Sequence, residues 1–371
     1  MRIEREVAPG PQESPTSVKG FDYIELYVGN AWQAMHFYRT VFGFTPVAYA
    51  GLDTGVRDRV SFVIRQGKIN LVLTSAVDID SPIAEHVRVH GDGVKDIAFR
   101  VNDAGRAFDE TVRRGARPVL GPTVVEGPEG RIVKATIGAW GDTVHTFVQR
   151  GPYDGPFFPG FRPMKSAPAA GRYGLAAIDH VAVSVEQGRL DYWVDFYKRV
   201  LNFHQSHQED ISTEYSAMNS KVVENETGKI KFPMQEPAAG KRKSQIEEYL
   251  SFYGGPGAQH IALLTSNIVE TVRALRANGV EFLRIPQTYY EALEGRVGRL
   301  PEDMATLREL NILVDRDESG YLLQVFSRPL QSRPTLFMEV IQRKGARGFG
   351  GGNIRALFEA VEREQAARGT L

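Results

Sequence analysis

Ile178-Asp179-His180-Val181-Ala182-Val183-Ser184-Val185 is a β-prone run, and it echoes an earlier one, Phe21-Asp22-Tyr23-Ile24-Glu25-Leu26-Tyr27-Val28. Alternation of this kind marks a half-buried strand. The echo continues. Asp195-Phe196-Tyr197-Lys198-Arg199-Val200-Leu201-Asn202-Phe203 follows the second copy as His36-Phe37-Tyr38-Arg39-Thr40-Val41-Phe42-Gly43-Phe44 follows the first. His260-Ile261-Ala262 answers Asp96-Ile97-Ala98, and Glu339-Val340-Ile341-Gln342-Arg343 answers Thr146-Phe147-Val148-Gln149-Arg150. Order and strand context agree at each place, so the chain is read as an internal duplication. The first copy reads as two β-α-β-β-β units, with a helix opened by Asn30 and stopped near Gly43, a hairpin at Gln66-Gly67-Lys68 and a second helix ending at Gly115.

The copies differ where chemistry would sit. The first carries Tyr23, Asp96 and Thr146, and the second carries His180, His260 and Glu339. Two imidazoles and one carboxylate on separate strands occupy one face of an octahedral metal and leave three positions open. Such a set favours Fe(II) for oxygen chemistry, and zinc with an activated water is the alternative that ligand type alone leaves open. Ser220, Gln235, Gln245, Gln259 and Gln324 lie on or beside expected strands of the second half, where uncharged polar groups can orient a carbonyl or a phenol without titrating. Phe337 and Phe349 are candidates for the walls of an apolar slot. Glycines in the run 345–353 read as a flexible tether, and the helix beyond, 354–368, as a lid that excludes water. The remaining histidines, His36, His86, His90, His145, His204 and His207, lack partners in the echoed frame and are expected to be solvated or hydrogen-bonded.

Composition narrows the partners. At 371 residues the chain is long for one core. Its 45 basic and 45 acidic residues leave no net charge to attract nucleic acid or an anionic membrane. With no cysteine, disulfides and thiolate metal sites are excluded, and only His, Asp and Glu can hold a metal. No apolar run reaches the roughly 18 residues a membrane span needs. A soluble, cytoplasmic protein acting on a small molecule is expected, assembled as a homo-oligomer, dimer or tetramer. Residues 1–19 read as a disordered lead-in, 20–151 as a first domain without metal, 152–175 as a Pro/Gly/aromatic linker and 176–371 as the catalytic domain with its lid.

Several longer motifs carry a resemblance. Ile178-Asp179-His180, Lys243-Ser244-Gln245-Ile246-Glu247-Glu248-Tyr249-Leu250, Gly257-Ala258-Gln259-His260-Ile261-Ala262, Asp315-Arg316-Asp317-Glu318-Ser319-Gly320-Tyr321-Leu322-Leu323-Gln324 and Phe337-Met338-Glu339-Val340-Ile341-Gln342-Arg343 resemble the family of 4-hydroxyphenylpyruvate dioxygenase and 4-hydroxymandelate synthase. The likeness runs from about Gly20 to the C-terminus. It implies an α+β, vicinal oxygen chelate fold: two tandem halves of paired βαβββ modules forming open barrels, with a closing C-terminal helix. By matching position it implies His180, His260 and Glu339 as ligands of Fe(II), and Ser220, Gln245, Gln259 and Gln324 as the polar set facing 4-hydroxyphenylpyruvate. O2 is the implied co-substrate, and no external 2-oxoglutarate is needed because the substrate is itself a 2-oxo acid.

Three departures bear on the product. Homogentisate-forming members read Gly-Asn-Phe at the start of the closing helix, whereas this chain reads Gly352-Asn353-Ile354, as mandelate-forming members do. Gln235 stands where the dioxygenases have Asn, and Met338 where Phe commonly precedes the glutamate. A smaller branched wall at Ile354 is expected to let the ring shift and bring the benzylic carbon into reach. Phe232-Pro233 and most of the frame are more like the dioxygenase.

Overall fold

The structure is a computed structural model, and it describes residues 17–165 and 173–370. The expected lead-in lies outside the described residues as far as residue 16, and the 166–172 part of the linker does too. Val18, at the end of that lead-in, is buried in the main core, and its carbonyl accepts from Asn225 Nδ2 at 3.1 Å.

The first half runs β1 (Gly20–Tyr27), α1 (Ala31–Phe42), β2 (Thr45–Ala50), β3 (Arg59–Gln66), β4 (Ile69–Ala76), α2 (Pro82–His90), β5 (Gly93–Arg100), α3 (Ala104–Arg113), β6 (Pro118–Gly127), β7 (Gly130–Gly138) and β8 (Val144–Arg150). After β9 (Arg162–Pro163), the second runs β10 (Leu175–Ser184), α4 (Leu190–Leu201), β11 (His204–Ser212), β12 (Ala217–Glu224), β13 (Lys231–Ala238), α5 (Gln245–Tyr253), β14 (Gly257–Thr265) and α6 (Ile268–Ala277). Three short helices follow, α7 (Gln287–Glu291), α8 (Leu293–Val297) and α9 (Met304–Glu309), then β15 (Leu313–Asp317), β16 (Gly320–Phe326), β17 (Phe337–Lys344) and α10 (Gly351–Arg368).

Local chemistry explains the helix ends. Asn30 Oδ1 accepts from the Gln33 N–H at 3.1 Å to open α1, and Gly43 closes it at φ 74°. Ser244 and Glu247 form a reciprocal capping box at the head of α5.

The duplication is visible in strand order. One sheet runs β6-β7-β8-β5-β1-β4-β3-β2-β9 and the other β11-β12-β13-β10-β14-β17-β16-β15. Read from opposite ends they have the same order apart from β9. Each pairs its two central strands antiparallel (β1 with β5, β10 with β14) and flanks them with parallel neighbours. These are paired βαβββ modules curled into two half-barrels, as the sequence implied. The outer faces and their helices share one continuous core, in which Phe232 of β13 packs against Phe99 and Trp140 of the first half at 6.2 Å. Burying such a ring contributes on the order of 2–3 kcal/mol. Each inner face is left with smaller apolar clusters of its own, and these floor two separate cups.

The expected linker is more than a connector. Its strand β9 pairs with β2, and Phe157, Phe158 and Phe161 lie over the first cup.

Candidate metal centre

The inner face of the second sheet gathers His180 from β10, His260 from β14 and Glu339 from β17, which are 2%, 6% and 1% exposed. Their ligand atoms all lie within 4.8 Å of one another. Glu339 Oε2 is 3.1 Å from His180 Nε2 and 3.3 Å from His260 Nε2.

Two β-bulges aim the imidazoles. Between Ile178 and His180 the β10–β14 register slips by one residue, which leaves Asp179 as the extra residue beside His180. Between Ala182 and Val183 it slips again, and Gln259 becomes the extra residue beside His260. Bulges of this kind re-aim side chains next to active sites. Here each puts an acceptor against the histidine that follows it. Asp179 Oδ1 lies 2.8 Å from His180 Nδ1, and Gln259 Oε1 lies 3.2 Å from His260 Nδ1. An acceptor at Nδ1 holds the proton there and turns the Nε2 lone pair inward.

Those acceptors are held in turn. Arg343 donates to Asp179 through Nε at 2.7 Å and Nη2 at 2.8 Å, and Gln235 Nε2 donates to Gln259 Oε1 at 2.8 Å. Glu339 is fixed by Gln324, whose Nε2 donates to Oε1 at 2.8 Å. Gln324 can reach a carboxylate only with its Nε2, so its own Oε1 must accept. Asn353 of α10 supplies that donor through Nδ2 at 2.8 Å, and Asn353 Oδ1 accepts from Tyr289 OH at 2.7 Å. One hydrogen-bonded chain therefore links the closing helix to the carboxylate.

The electrostatics follow. Burial acts to raise Glu339, but the imidazoles of His180 and His260 hold its carboxyl down at about 2. Burial lowers His260, outweighing Glu339. His180 is also desolvated, yet Glu339 and Asp179 together raise it.

Other expected site residues divide clearly. Ser220 and Gln235 are cross-strand partners, both buried. Gln245 begins α5; its Oε1 is buried with no hydrogen-bond partner among the described residues, and a cavity of about 30 Å³ lies beside it, Gln259 and Phe337. An unmet buried acceptor costs about 1–3 kcal/mol, which a ligand donor would relieve. Phe337 stacks on His260 at 4.8 Å, and Phe349 meets His180 edge-on at 5.2 Å. Ile354 is half-buried and packs against the cluster of Ile211, Met218, Ile246 and Phe358. Met338 is brought elsewhere. One place from Glu339, it points to the opposite face of β17 and packs in the main core, so it is not a wall of the cup.

The tether is also corrected. Gly351, Gly352 and Asn353 already belong to α10, and the loop before it is fastened by Asp317 Oδ2, which accepts from the N–H groups of Arg347 and Gly348 at 2.7 Å. Glycine is needed here for close approach: a Cβ on Gly352 would lie 2.4 Å from Arg296 Nη1. Asp179, Arg343 and Tyr289 escaped the sequence reading, as did Ser184, whose buried hydroxyl has no hydrogen-bond partner among the described residues. Asp179 stood in a quoted motif beside His180, but only the bulge shows that it faces the same way.

His86, His90 and Asp142 form a second close cluster. There Lys95 Nζ, 3.2 Å from Asp142 Oδ2, already supplies the cation. His145, by contrast, is fully buried and lies between Ile97 O at 3.0 Å and Tyr197 OH at 2.5 Å.

The half-barrel pair and its inward-facing His, His and Glu define a protein of the vicinal oxygen chelate superfamily. Residues 177–325 match the model of the glyoxalase/bleomycin resistance protein/dioxygenase superfamily, and residues 12–154 match that of the hydroxyphenylpyruvate dioxygenase N-terminal region. The chain is 45% identical to 4-hydroxyphenylpyruvate dioxygenase of Yarrowia lipolytica, over 96% of this chain and 94% of the relative. It is 46% identical to that of Danio rerio, over 95% and 92%. Among solved structures, a triple mutant of 4-hydroxymandelate synthase from Streptomyces coelicolor superposes with a TM-score of 0.86 at 40% identity, covering 94% of this chain and 99% of that one. The chain belongs to the 4-hydroxyphenylpyruvate dioxygenase and 4-hydroxymandelate synthase family, non-haem iron dioxygenases. No described helix is long and apolar enough to cross a membrane.

Proposed function

We propose that this enzyme converts 4-hydroxyphenylpyruvate and O2 to 4-hydroxymandelate and CO2, hydroxylating the benzylic carbon. The observation that carries the product assignment is Ile354, which stands on the first turn of the closing helix and packs with Ile211, Met218, Ile246 and Phe358. A branched aliphatic residue there leaves room that a phenyl ring would fill, and the substrate ring can settle differently against the lid.

His180, His260 and Glu339 would hold the metal. The donor set of two imidazole nitrogens and one carboxylate oxygen, with Nδ1 of both histidines already engaged, suits Fe(II). When bound, Fe(II) supplies the site at which the 2-oxo acid and O2 are brought together. The equation balances without an outside reductant: the 2-oxo acid gives up CO2, and the two oxygen atoms of O2 enter the new carboxylate and the new hydroxyl. The chain's own residues do the positioning. Gln324 and Asn353 hold Glu339 and couple it to the lid, Gln235 and Gln259 set the tilt of His260, and Ser220 and Gln245 offer polar contacts to the phenol. Phe337 and Phe349 keep water from the imidazoles.

Homogentisate formation is the second reading, supported by relatives named 4-hydroxyphenylpyruvate dioxygenase at 45–46% identity. Anaerobic loading with Fe(II), addition of 4-hydroxyphenylpyruvate, admission of air and chromatography of the products separate the two. Mandelate is expected, and homogentisate as the main product would overturn the assignment. Ile354→Phe is expected to move the product ratio toward homogentisate by about tenfold, equivalent to about 1.4 kcal/mol between the two barriers. The same reading carries a cytoplasmic location and a homo-oligomer, the latter checked by light scattering of the purified chain.

A further inference from the structure

The first half keeps a cup without the metal set, and its lining has been altered in a consistent direction. Tyr23 OH donates to Asp96 Oδ2 at 2.8 Å, Thr146 Oγ1 to the same oxygen at 2.6 Å, and the Thr146 N–H to Asp96 Oδ1 at 3.0 Å. The positions that answer His180, His260 and Glu339 therefore satisfy one another. Burial raises the Asp96 carboxyl to about 7. Of the other carboxylates in the lining, Glu25 accepts from Thr74 Oγ1 at 2.6 Å and lies in the field of Arg59, Lys134 and Lys95, and Asp142 lies 3.2 Å from Lys95 Nζ.

Register identifies the rest of the lining. Lys95 is the extra residue of a bulge just before Asp96, as Gln259 is before His260. Thr136 pairs with Thr146 as Phe326 pairs with Glu339, so Lys134 stands two residues back on the same face, where the second half has Gln324. Two neutral amides of one cup are lysines in the other. Arg59 and Arg117 bring the cations of the lining to four; Arg59 is paired with Asp58 at 2.9 Å, whereas Gly138 lies under the Arg117 guanidinium, where a Cβ would come within 2.5 Å of Nη2. Lys95 is taken up by Asp142. Among the described residues neither Lys134 nor Arg117 is ion-paired with a carboxylate, and Lys134 Nζ lies 5.9 Å from the centre of the Phe158 ring. Aromatic rings close the same space, with Phe157 and Phe158 edge-on to Tyr23 at 5.4 and 5.9 Å. The cavity they share measures about 500 Å³, the size of a small-molecule site.

We propose that the cup of the first half is a second ligand site, which binds a small aromatic carboxylate without reacting with it. The ring packs against Tyr23, Phe157 and Phe158, and the carboxylate meets Lys134 and Arg117. This site is independent of which product the second half makes.

The test uses the full chain freed of metal with a chelator, and 4-bromophenylacetate as probe. Calorimetry is run on the wild type, on the pair Lys134→Met with Arg117→Met, and on the pair Lys134→Arg with Arg117→Lys. One binding event is expected to weaken at least about tenfold in the methionine pair and to survive in the charge-keeping pair, while any event in the second cup is unchanged. In crystals of the wild type soaked with the probe, bromine is expected inside the first cup. Coincident isotherms for the wild type and the methionine pair would overturn the proposal. So would bromine confined to the second half or absent, a result that decides the matter even if the methionine pair fails to fold.

Discussion

Arg343→Met is the most informative change in the second half, because the first half contains its control. Asp179 is almost fully buried and takes two charged hydrogen bonds from Arg343, at 2.7 and 2.8 Å. Removing the guanidinium leaves a buried carboxylate with His180 as its remaining side-chain hydrogen-bond partner among the described residues, a loss of about 3–5 kcal/mol. The carboxylate, no longer held, also ceases to fix the Nδ1 proton of His180, and loss of such a supporting group costs about 10–100-fold in metal affinity. Arg150 and Asp22 make the same pair in the first half, at 2.7 Å, where position 23 is tyrosine in place of the ligand histidine. Asp22 additionally keeps Arg100 at 3.1 Å, so Arg150→Met should cost less, about 1–3 kcal/mol. Urea unfolding of the metal-free proteins reads the stability terms, and competition with a chromogenic chelator reads Fe(II) affinity. Arg343→Met should lose both stability and affinity, and Arg150→Met stability alone. Equal metal affinity in the two variants would refute the idea that the Asp–Arg pair acts on the metal through His180.

Three other outcomes follow from named contacts. Glu339→Gln removes the only carboxylate of the cluster and should weaken Fe(II) binding by at least about 100-fold, as measured by equilibrium dialysis; retention within threefold would mean that the ligand set is wrong. Burial lowers His145 to about 4 against its ordinary value near 6.5. A depressed histidine stabilises the fold above the unfolded value and the contribution is lost as pH falls, beginning near 6.5 and complete below about 4, worth about 3 kcal/mol. Because Tyr197 OH, on the second half, bonds this ring, His145→Gln should flatten the acid limb of a stability profile, and an unchanged slope between pH 7 and 4 would count against the assignment. Gly350 has φ 73°, and a Cβ there would meet Asp315 Cβ at 2.9 Å. Gly350→Ala should cost about 1–2 kcal/mol and speed amide exchange in α10 about tenfold over the rest of the second half; uniform exchange would show that the lid is not seated through this loop.

Order and identity of the central strands were legible because a buried strand must alternate and a repeated frame must repeat its alternation. The same frame sets Tyr23, Asp96 and Thr146 against His180, His260 and Glu339 in the sequence alone. Elements with little buried surface escaped: β6 is exposed along most of its length and β11 is nearly as open, so neither carries the apolar period that marks a strand. His204 and His207, read as part of a polar stretch, lie on β11.

The sequence by itself determined the duplication and the residue types available to a metal, and its family resemblance implied the tandem barrels. Only the tertiary structure decided which neighbours reach those residues. Period-2 counting sends Asp179 and His180 to opposite faces, and Gln259 and His260 likewise, but a bulge inserts one residue and returns both members of each pair to one side. The same counting, where no bulge intervenes, sends Met338 away from Glu339. Tethering of Glu339 to the lid through Gln324 and Asn353 joins residues far apart in the chain. Their meeting depends on α10 folding back across the sheet, which no local pattern in the sequence encodes.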